Sequence, residues 1–213
     1  MEYRCEAASV AGFIQQLAVS YVGRGYWFYV LGEIPEQKDP LVVDERLIAK
    51  YGIAVGKATR ARRKAAGLAN VQYIRYRRTF VLLATQGKHP FFDQEGSLVR
   101  DAREVPIKFG GYAISYRAGH PHVRIEQGLY LELKAYLSGI AVHRTSESLT
   151  GEFGRLVFEP YAPIRSQLFG ILRNVNRRRH IAGFEPLPSS CLRVRRRVVR
   201  PFAEPAHLHS AAA

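Results

Sequence analysis

Apolar residues recur at spacings of three and four in several stretches of the chain, and each such stretch predicts a helix with one buried face. Val10, Phe13, Ile14, Leu17 and Tyr21 make the first, ended by Gly23 and Gly25. Asp39-Pro40 marks the next start, with Asp as N-cap and Pro where no amide donor is needed; Val43, Leu47, Ile48 and Tyr51 follow on one face and Gly52 closes it. Leu129, Leu133, Leu137 and Ile140 predict a helix over 130–142, and Ile164, Leu168, Ile171, Leu172 and Val175 another that ends in Arg177-Arg178-Arg179-His180. Lys57 to Leu68 adds a helix by propensity rather than by pattern, since Ala, Arg and Lys are good helix formers.

Strand signals lie between these. Tyr26 to Leu31 is aromatic and β-branched throughout, and one long strand is expected from Val71 to Ala84, polar and basic in its first half and apolar in its second. Ile107 to Tyr116, Val123 to Glu126 and, after Gly151 and Gly154, Leu156 to Phe158 read as further strands, whereas Phe91 to Arg103 reads as a mixed loop. The expectation is an α+β fold, helices packed on a mainly antiparallel sheet, with a ferredoxin-like arrangement among the options. Pro186 and Pro188 suggest one domain over 1–188, followed by a basic C-terminal strand or arm over 189–213.

Charge changes the picture more than composition does. Of 213 residues, 32 are Lys or Arg against 18 Asp or Glu, a formal net charge of +14. The excess is concentrated. Lys57-Ala-Thr-Arg60-Ala-Arg62-Arg63-Lys64 carries five positive charges, Arg75, Arg77 and Arg78 follow, and no Asp or Glu occurs between Glu45 and Asp93. Cations without local carboxylates face water or an external polyanion, and Arg in particular grips phosphate through two parallel hydrogen bonds. Nucleic acid is the expected partner. Arg60, Arg62, Arg63, Lys64, Arg75, Arg77, Arg78, Arg177, Arg178 and Arg179 are the expected phosphate ligands, and Tyr73, Tyr76 and Tyr112 the expected stacking platforms, which favours single-stranded or structured substrate. DNA and RNA are not separated by these residues. Cys5 and Cys191 are too few for a disulfide framework, the first residues do not read as a signal peptide, and no apolar run is long enough to span a bilayer; a cytoplasmic protein with no membrane partner is expected.

Two segments resemble the signatures of the RNA recognition motif: Phe28-Tyr-Val-Leu-Gly32 the first, and Lys108-Phe-Gly-Gly-Tyr-Ala-Ile-Ser-Tyr116 the second. The second is one residue short after Gly111-Tyr112-Ala113, and a one-residue slip on a strand turns the stacking side chain to the other face. A related sheet is therefore compatible with these residues, but membership is not supported.

His120-Pro-His122 resembles the histidine-hydrophobic-histidine endonucleases of replication and transposition. That resemblance implies two His side chains on one side of a strand sharing a divalent metal, with a tyrosine such as Tyr130 attacking the phosphate. Pro121 stands where the family has a bulky aliphatic residue. A separate carboxylate cluster, Asp93, Glu95 and Asp101, would hold Mg²⁺ or Mn²⁺ if the chain is a nuclease, and His143 beside Arg144 offers acid and base groups for metal-free RNA cleavage. A loose helix-turn-helix spans Ala49 to Asn70. Phosphate-loop, dinucleotide, zinc-protease and serine-hydrolase motifs are absent from the sequence. The leading expectation is a nucleic-acid-binding protein; the alternatives are a metal-dependent endonuclease of a mobile element or defence system, and a basic structural subunit of a ribonucleoprotein.

Overall fold

Helices begin where an acceptor is at hand for their unbonded amides. In the computed structural model, which describes residues 3–192, 194–195 and 199–202, Ser9 caps α1 (Val10–Gln15), which continues as a π-helical turn over Gln16–Tyr21. Asp39 Oδ1 accepts from Leu41 N at 2.9 Å to start α2 (Pro40–Lys50), as its sequence signal predicts. α3 (Lys57–Ala65) begins at Gly56 without a side-chain cap. His89 Nδ1 accepts from Phe91 N at 3.0 Å to start α4 (Pro90–Glu95), Glu126 caps α5 (Gln127–Ile140) and Thr145 caps α6 (Ser146–Gly154). α7 (Ala162–Ile181) is the longest helix among the described residues. α4 lies in a stretch that the sequence presents as a loop, and α6 in one where it signals no element. A histidine cap and two glycines inside a nine-residue helix are not the usual helix signals.

The chain divides into two compact units, the first taking the described residues through Asp101 together with 199–202, the second the described residues from Ala102 to 195. In the first unit β1 (Phe28–Glu33), β2 (Val71–Tyr76), β3 (Thr79–Ala84) and β4 (Arg100–Asp101) form an antiparallel sheet in the order β2-β3-β1-β4. The long strand expected over Val71 to Ala84 is thus a hairpin. Its two-residue turn is Arg77-Arg78, with Arg77 at φ 53°, a conformation usually left to Gly or Asn. Arg78 holds the turn by donating to the carbonyls of Ile34, Pro35, Glu36 and Lys38.

Cross-strand register puts Tyr73, Leu82 and Val30 on one row and Val71 and Ala84 on the next; with Tyr51, Ile53 and Phe91 they form the core of this unit. Gly32 is required beside them, since a Cβ there would sit 2.4 Å from the Phe80 ring. Residues 199–202 return to this unit, where Ala8 N donates to Pro201 O at 2.9 Å and a Cβ on Gly12 would fall 2.9 Å from Pro201 Cα.

One row ends on charge. Arg75, 3% exposed, donates through Nε and Nη2 to the carboxylate of Asp44, 5% exposed, at 2.9–3.0 Å. Tyr73 donates to the same carboxylate at 2.5 Å, and Arg75 Nη1 reaches Glu6 at 3.0 Å. A buried ion pair is held by this completeness of hydrogen bonding rather than by bare attraction, because desolvation offsets most of the Coulomb gain.

In the second unit β5 (Ile107–Phe109), β6 (Tyr112–Arg117) and β7 (His120–Ile125) form an antiparallel sheet in that order. The strand expected over Ile107 to Tyr116 turns back at Gly110-Gly111, both at positive φ, and a Cβ on Gly111 would lie 2.8 Å from Leu129. Ile107, Ile114 and Val123 share one buried row, and Ile164, Leu168, Ile171, Leu172 and Val175 are buried along α7, which packs against β7 and α5. Leu156 to Phe158 is not a strand. Of the expected arm, Ser189–Cys191 is a 3-10 turn, while 193, 196–198 and 203–213 lie outside the described residues. Among the described residues no helix is long and apolar enough to cross a membrane.

Removing the Asp44 carboxylate leaves a buried guanidinium with only the exposed Glu6 as acidic partner. Asp44→Ala is expected to cost about 3–5 kcal/mol in urea unfolding, and Asp44→Leu with Arg75→Met to recover most of it. A loss below about 1 kcal/mol for the single variant would show that the pair does not hold the unit together.

Candidate functional site

β7 is an edge strand, which is why Pro121 is tolerated in its middle: a missing amide there breaks no ladder on the open side. Strand alternation puts His120, His122 and Arg124 on one side, and register sets Arg117 opposite His120 and Ser115 opposite His122. The open edge is partly closed by α7. Gln167 Oε1 accepts from Ile125 N at 2.8 Å and its Nε2 donates to Ile125 O at 3.2 Å, so one side-chain amide stands in for a neighbouring strand.

This arrangement leaves an open groove of about 710 Å³ whose lining includes His120, His122, Arg124, Tyr130, Gly170 and Arg173. Tyr130 comes from the first turn of α5, and a Cβ on Gly170 would be 3.5 Å from its hydroxyl, so the phenol lies over the bare Cα of Gly170. The expected trio of His120, His122 and Tyr130 thus lines one groove. Arg124 and Arg173 were not singled out from the sequence. The i, i+2, i+4 alternation of His120, His122 and Arg124 was legible there, but the approach of Arg173 depends on how α7 packs.

The charges of this groove are one-sided. No Asp or Glu lines it, and among the described residues Arg117, Arg124 and Arg173 have neither a hydrogen-bond nor an ion-pair partner through their side chains. The nearby Glu126 is engaged elsewhere, with Lys108 Nζ at 2.7 Å and Leu129 N at 3.2 Å, and chiefly Lys108 holds its carboxyl below the usual range. His120 Nδ1 lies 2.9 Å from the carbonyl oxygen of Ala118. A carbonyl only accepts, so Nδ1 carries the hydrogen and Nε2 is left to bind a second partner. His122 Nδ1 is buried without a partner, while burial, then the charges of Arg124, Arg117 and His120, lower its pKa. An unmet lone pair is tolerated better than an unmet N–H, which assigns the hydrogen of the neutral ring to Nε2.

A divalent metal does not fit this donor set. Catalytic zinc sites supply three protein ligands and magnesium sites supply carboxylates; here two imidazoles share the groove with the guanidinium groups of Arg124 and Arg173, which repel a cation. An oxyanion fits it. Among the described residues no three His, Cys, Asp or Glu side chains come together elsewhere. Asp93 is exposed on α4, Glu95 is bonded to Lys50 and to the Tyr51 hydroxyl, and Asp101 pairs with Phe28 on β4, so the expected carboxylate cluster is not assembled.

Four of the expected nucleic-acid contacts are interior. Tyr73 and Arg75 belong to the Asp44 network. Tyr112, 4% exposed, accepts from Glu159 N at 2.9 Å. Arg179, 3% exposed, donates to the carbonyls of Ala141, Arg144 and Glu185 and to Ser146 Oγ, joining the end of α5 to the start of α6. Each is a polar side chain that the local pattern cannot distinguish from a surface one.

The rest reach the surface to differing degrees. Arg62 and Lys64 are exposed on α3 without partners among the described residues, while Arg60 and Arg63 are half-buried and donate to Val55 O at 2.6 Å and Gly52 O at 3.1 Å. Arg77 is exposed, 5.5 Å from the centre of the half-buried Tyr76 ring. Arg177 and Arg178 are exposed and bonded to Asn174 and Ser138 O. His143 and Arg144 are exposed beyond α5. The two segments resembling the RNA recognition signatures lie in different units, on β1 and on the β5–β6 hairpin.

Because His122 is held neutral by burial and by neighbouring cations, its imidazole is expected to titrate below the usual histidine value of about 6.5 in two-dimensional NMR. Arg124→Gln removes a positive neighbour and should move that midpoint up; an unchanged midpoint would mean the charge of Arg124 does not reach the ring. No family model matches the chain, and no curated protein matches it either.

Proposed function

We propose that the chain is a nucleic-acid-binding protein whose second unit grips a phosphate backbone in the groove beside β7. The observation that carries this reading is the division of labour among the arginines. Those that build the fold have partners, as Arg75 has Asp44 and Arg179 has three carbonyls, whereas Arg124 and Arg173 at the groove, Arg117 opposite His120 in the sheet, and Arg62 and Lys64 on α3, do not among the described residues. Cations kept apart from carboxylates are the electrostatic footprint of a polyanion partner. Of the expected stacking tyrosines Tyr76 alone is not buried, and Tyr130, expected as a catalytic group, is half-buried at the groove; both support single-stranded or structured substrate.

The first unit supports a ferredoxin-like reading: its strands follow the sequence β1, helices, β2, β3, helix, β4 and lie in the order β2-β3-β1-β4. Fold of this kind hosts many functions, so the functional reading rests on the side chains. Endonuclease activity is the second reading, favoured by the presence of His120, His122 and Tyr130 on one groove.

Binding to labelled RNA and DNA, single- and double-stranded, across a salt series tests the proposal. Log affinity should fall linearly with log salt, and Arg124→Gln and Arg173→Gln should each flatten the slope by about one phosphate contact. Arg155→Gln is the control, because Arg155 already pairs with Glu152 at 2.7 Å. Equal slopes for the groove variants and the wild type would remove the groove from the interface.

A further inference from the structure

The groove contains general acid–base groups and oxyanion donors but not the ligand set of a metal-activated water. Metal-dependent nucleases obtain hydroxide by lowering the pKa of a bound water, and two imidazoles beside the guanidinium groups of Arg124 and Arg173 do not form such a site. A substrate that brings its own nucleophile removes the need. RNA does so, with a 2′-hydroxyl beside every phosphate.

We propose that this groove cleaves RNA without a metal, by attack of a 2′-hydroxyl on the adjacent phosphate, with His120 as general base, His122 and the groove arginines as donors to the phosphoryl oxygens, and Tyr130 as general acid. The proposal rests on the nucleic-acid reading of the same groove. Each role follows from a feature of the residue. His120 has its Nδ1–H fixed on the Ala118 carbonyl at 2.9 Å, which leaves the Nε2 lone pair for a substrate proton. The carbonyl also stabilises the ring once that proton has been taken, since both nitrogens then donate.

His122 is two residues along the same strand, about 6.6 Å away by strand rise, a separation on the scale of a phosphate group with its flanking oxygens. Its buried Nδ1 makes it a poor base and a neutral Nε2–H donor. Arg124 and Arg173 face the same space. Charge on the phosphoryl oxygens rises from one to two as the new bond forms, so unpartnered guanidinium groups attract the transition state more strongly than the ground state.

The step balances within enzyme and substrate. The 2′-O–H bond breaks and its proton goes to His120 Nε2. The 2′-oxygen forms a bond to phosphorus, the bond from phosphorus to the 5′-oxygen breaks, and that oxygen leaves with the Tyr130 hydroxyl proton. Products are a 2′,3′-cyclic phosphate and a 5′-hydroxyl. Solvent then carries the proton from His120 back to the Tyr130 phenolate.

The test incubates the full chain with end-labelled single-stranded and hairpin RNAs in EDTA, with matched DNAs and with RNAs 2′-deoxy throughout or at single positions. Binding is measured on the same samples, and product ends are identified by mass spectrometry. Expected are RNA strands shortened in EDTA, cyclic phosphate ends, and loss of cutting wherever the 2′-hydroxyl is removed. His120→Ala should lower the rate by about 10²–10⁴ while binding is retained. The deoxy substrates probe the same step with unaltered protein, so a variant that fails to fold does not weaken the test.

Bound but intact RNA across the panel would overturn the catalytic proposal and leave the binding reading standing. Absence of binding at low salt would overturn both. Cutting that requires added Mg²⁺ or Mn²⁺, or a covalent tyrosine adduct on cut DNA, would overturn the metal-free route in favour of the metal-and-tyrosine one.

Discussion

Eighteen carboxylates share the chain with 32 cations, so the placement of each acid decides which basic residues are structural and which are left for a partner. Asp44 is spent in the interior, where it accepts from Tyr73 and from Nε and Nη2 of Arg75. Backbone pairing of the first residues with β2 is built around that contact: Arg75 N donates to Cys5 O at 2.8 Å, and Ala7 N donates to Arg75 O at 2.7 Å. The acid joins α2, β2 and the N-terminal segment at one point. Glu126 is used twice at the start of α5, as helix cap and as partner of Lys108. The residues that line the groove beside β7 include cations and no carboxylate.

Where sequence and structure agree, the signal is local. Asp39-Pro40 caps α2 because capping involves only neighbouring amides, and the apolar stripe of α7 is legible because burial of one helix face repeats every three or four residues. The disagreements have a common cause in tertiary contacts. Arg77-Arg78 carries no Gly, Asn or Pro to mark a turn, and it turns because four loop carbonyls hold the Arg78 guanidinium. Arg75 sits in a basic, apparently exposed run and is interior because Asp44, 31 residues earlier, comes to meet it. At the groove, two-residue spacing foretold that His120 and His122 share a face. Nothing local foretold Arg173 or Gln167, which reach the strand only through the path of α7.

The β6–β7 turn adds a strain argument. Ala118 has φ 48° and Gly119 φ 82°, the pattern of a two-residue hairpin turn that accepts Gly, Asn or Asp at both positions more readily than Ala. A left-handed alanine costs about 1–2 kcal/mol. The carbonyl set by that backbone is the one that receives Nδ1–H of His120, and the next carbonyl, of Gly119, receives the Tyr116 hydroxyl at 2.9 Å. A strained residue whose neighbours orient an imidazole toward a groove is an observed outlier in the place where a functional constraint would put one.

The groove also opposes its own fold. Arg124 and Arg173 line the groove with two imidazoles and no carboxylate, and burial, then the charges of Arg124, Arg117 and His120, lowers the pKa of His122. A protein selected for stability alone would place an acid here, as it does beside Lys108 and Arg155. An anion in the groove removes the repulsion and so binds the folded state in preference to the unfolded one, which couples ligand to stability through the same residues that would do the chemistry. On the proposed reading, the lack of an acid among the groove's lining residues is what leaves its arginines for a phosphate: an acid there would satisfy them internally and stand in the place of the ligand.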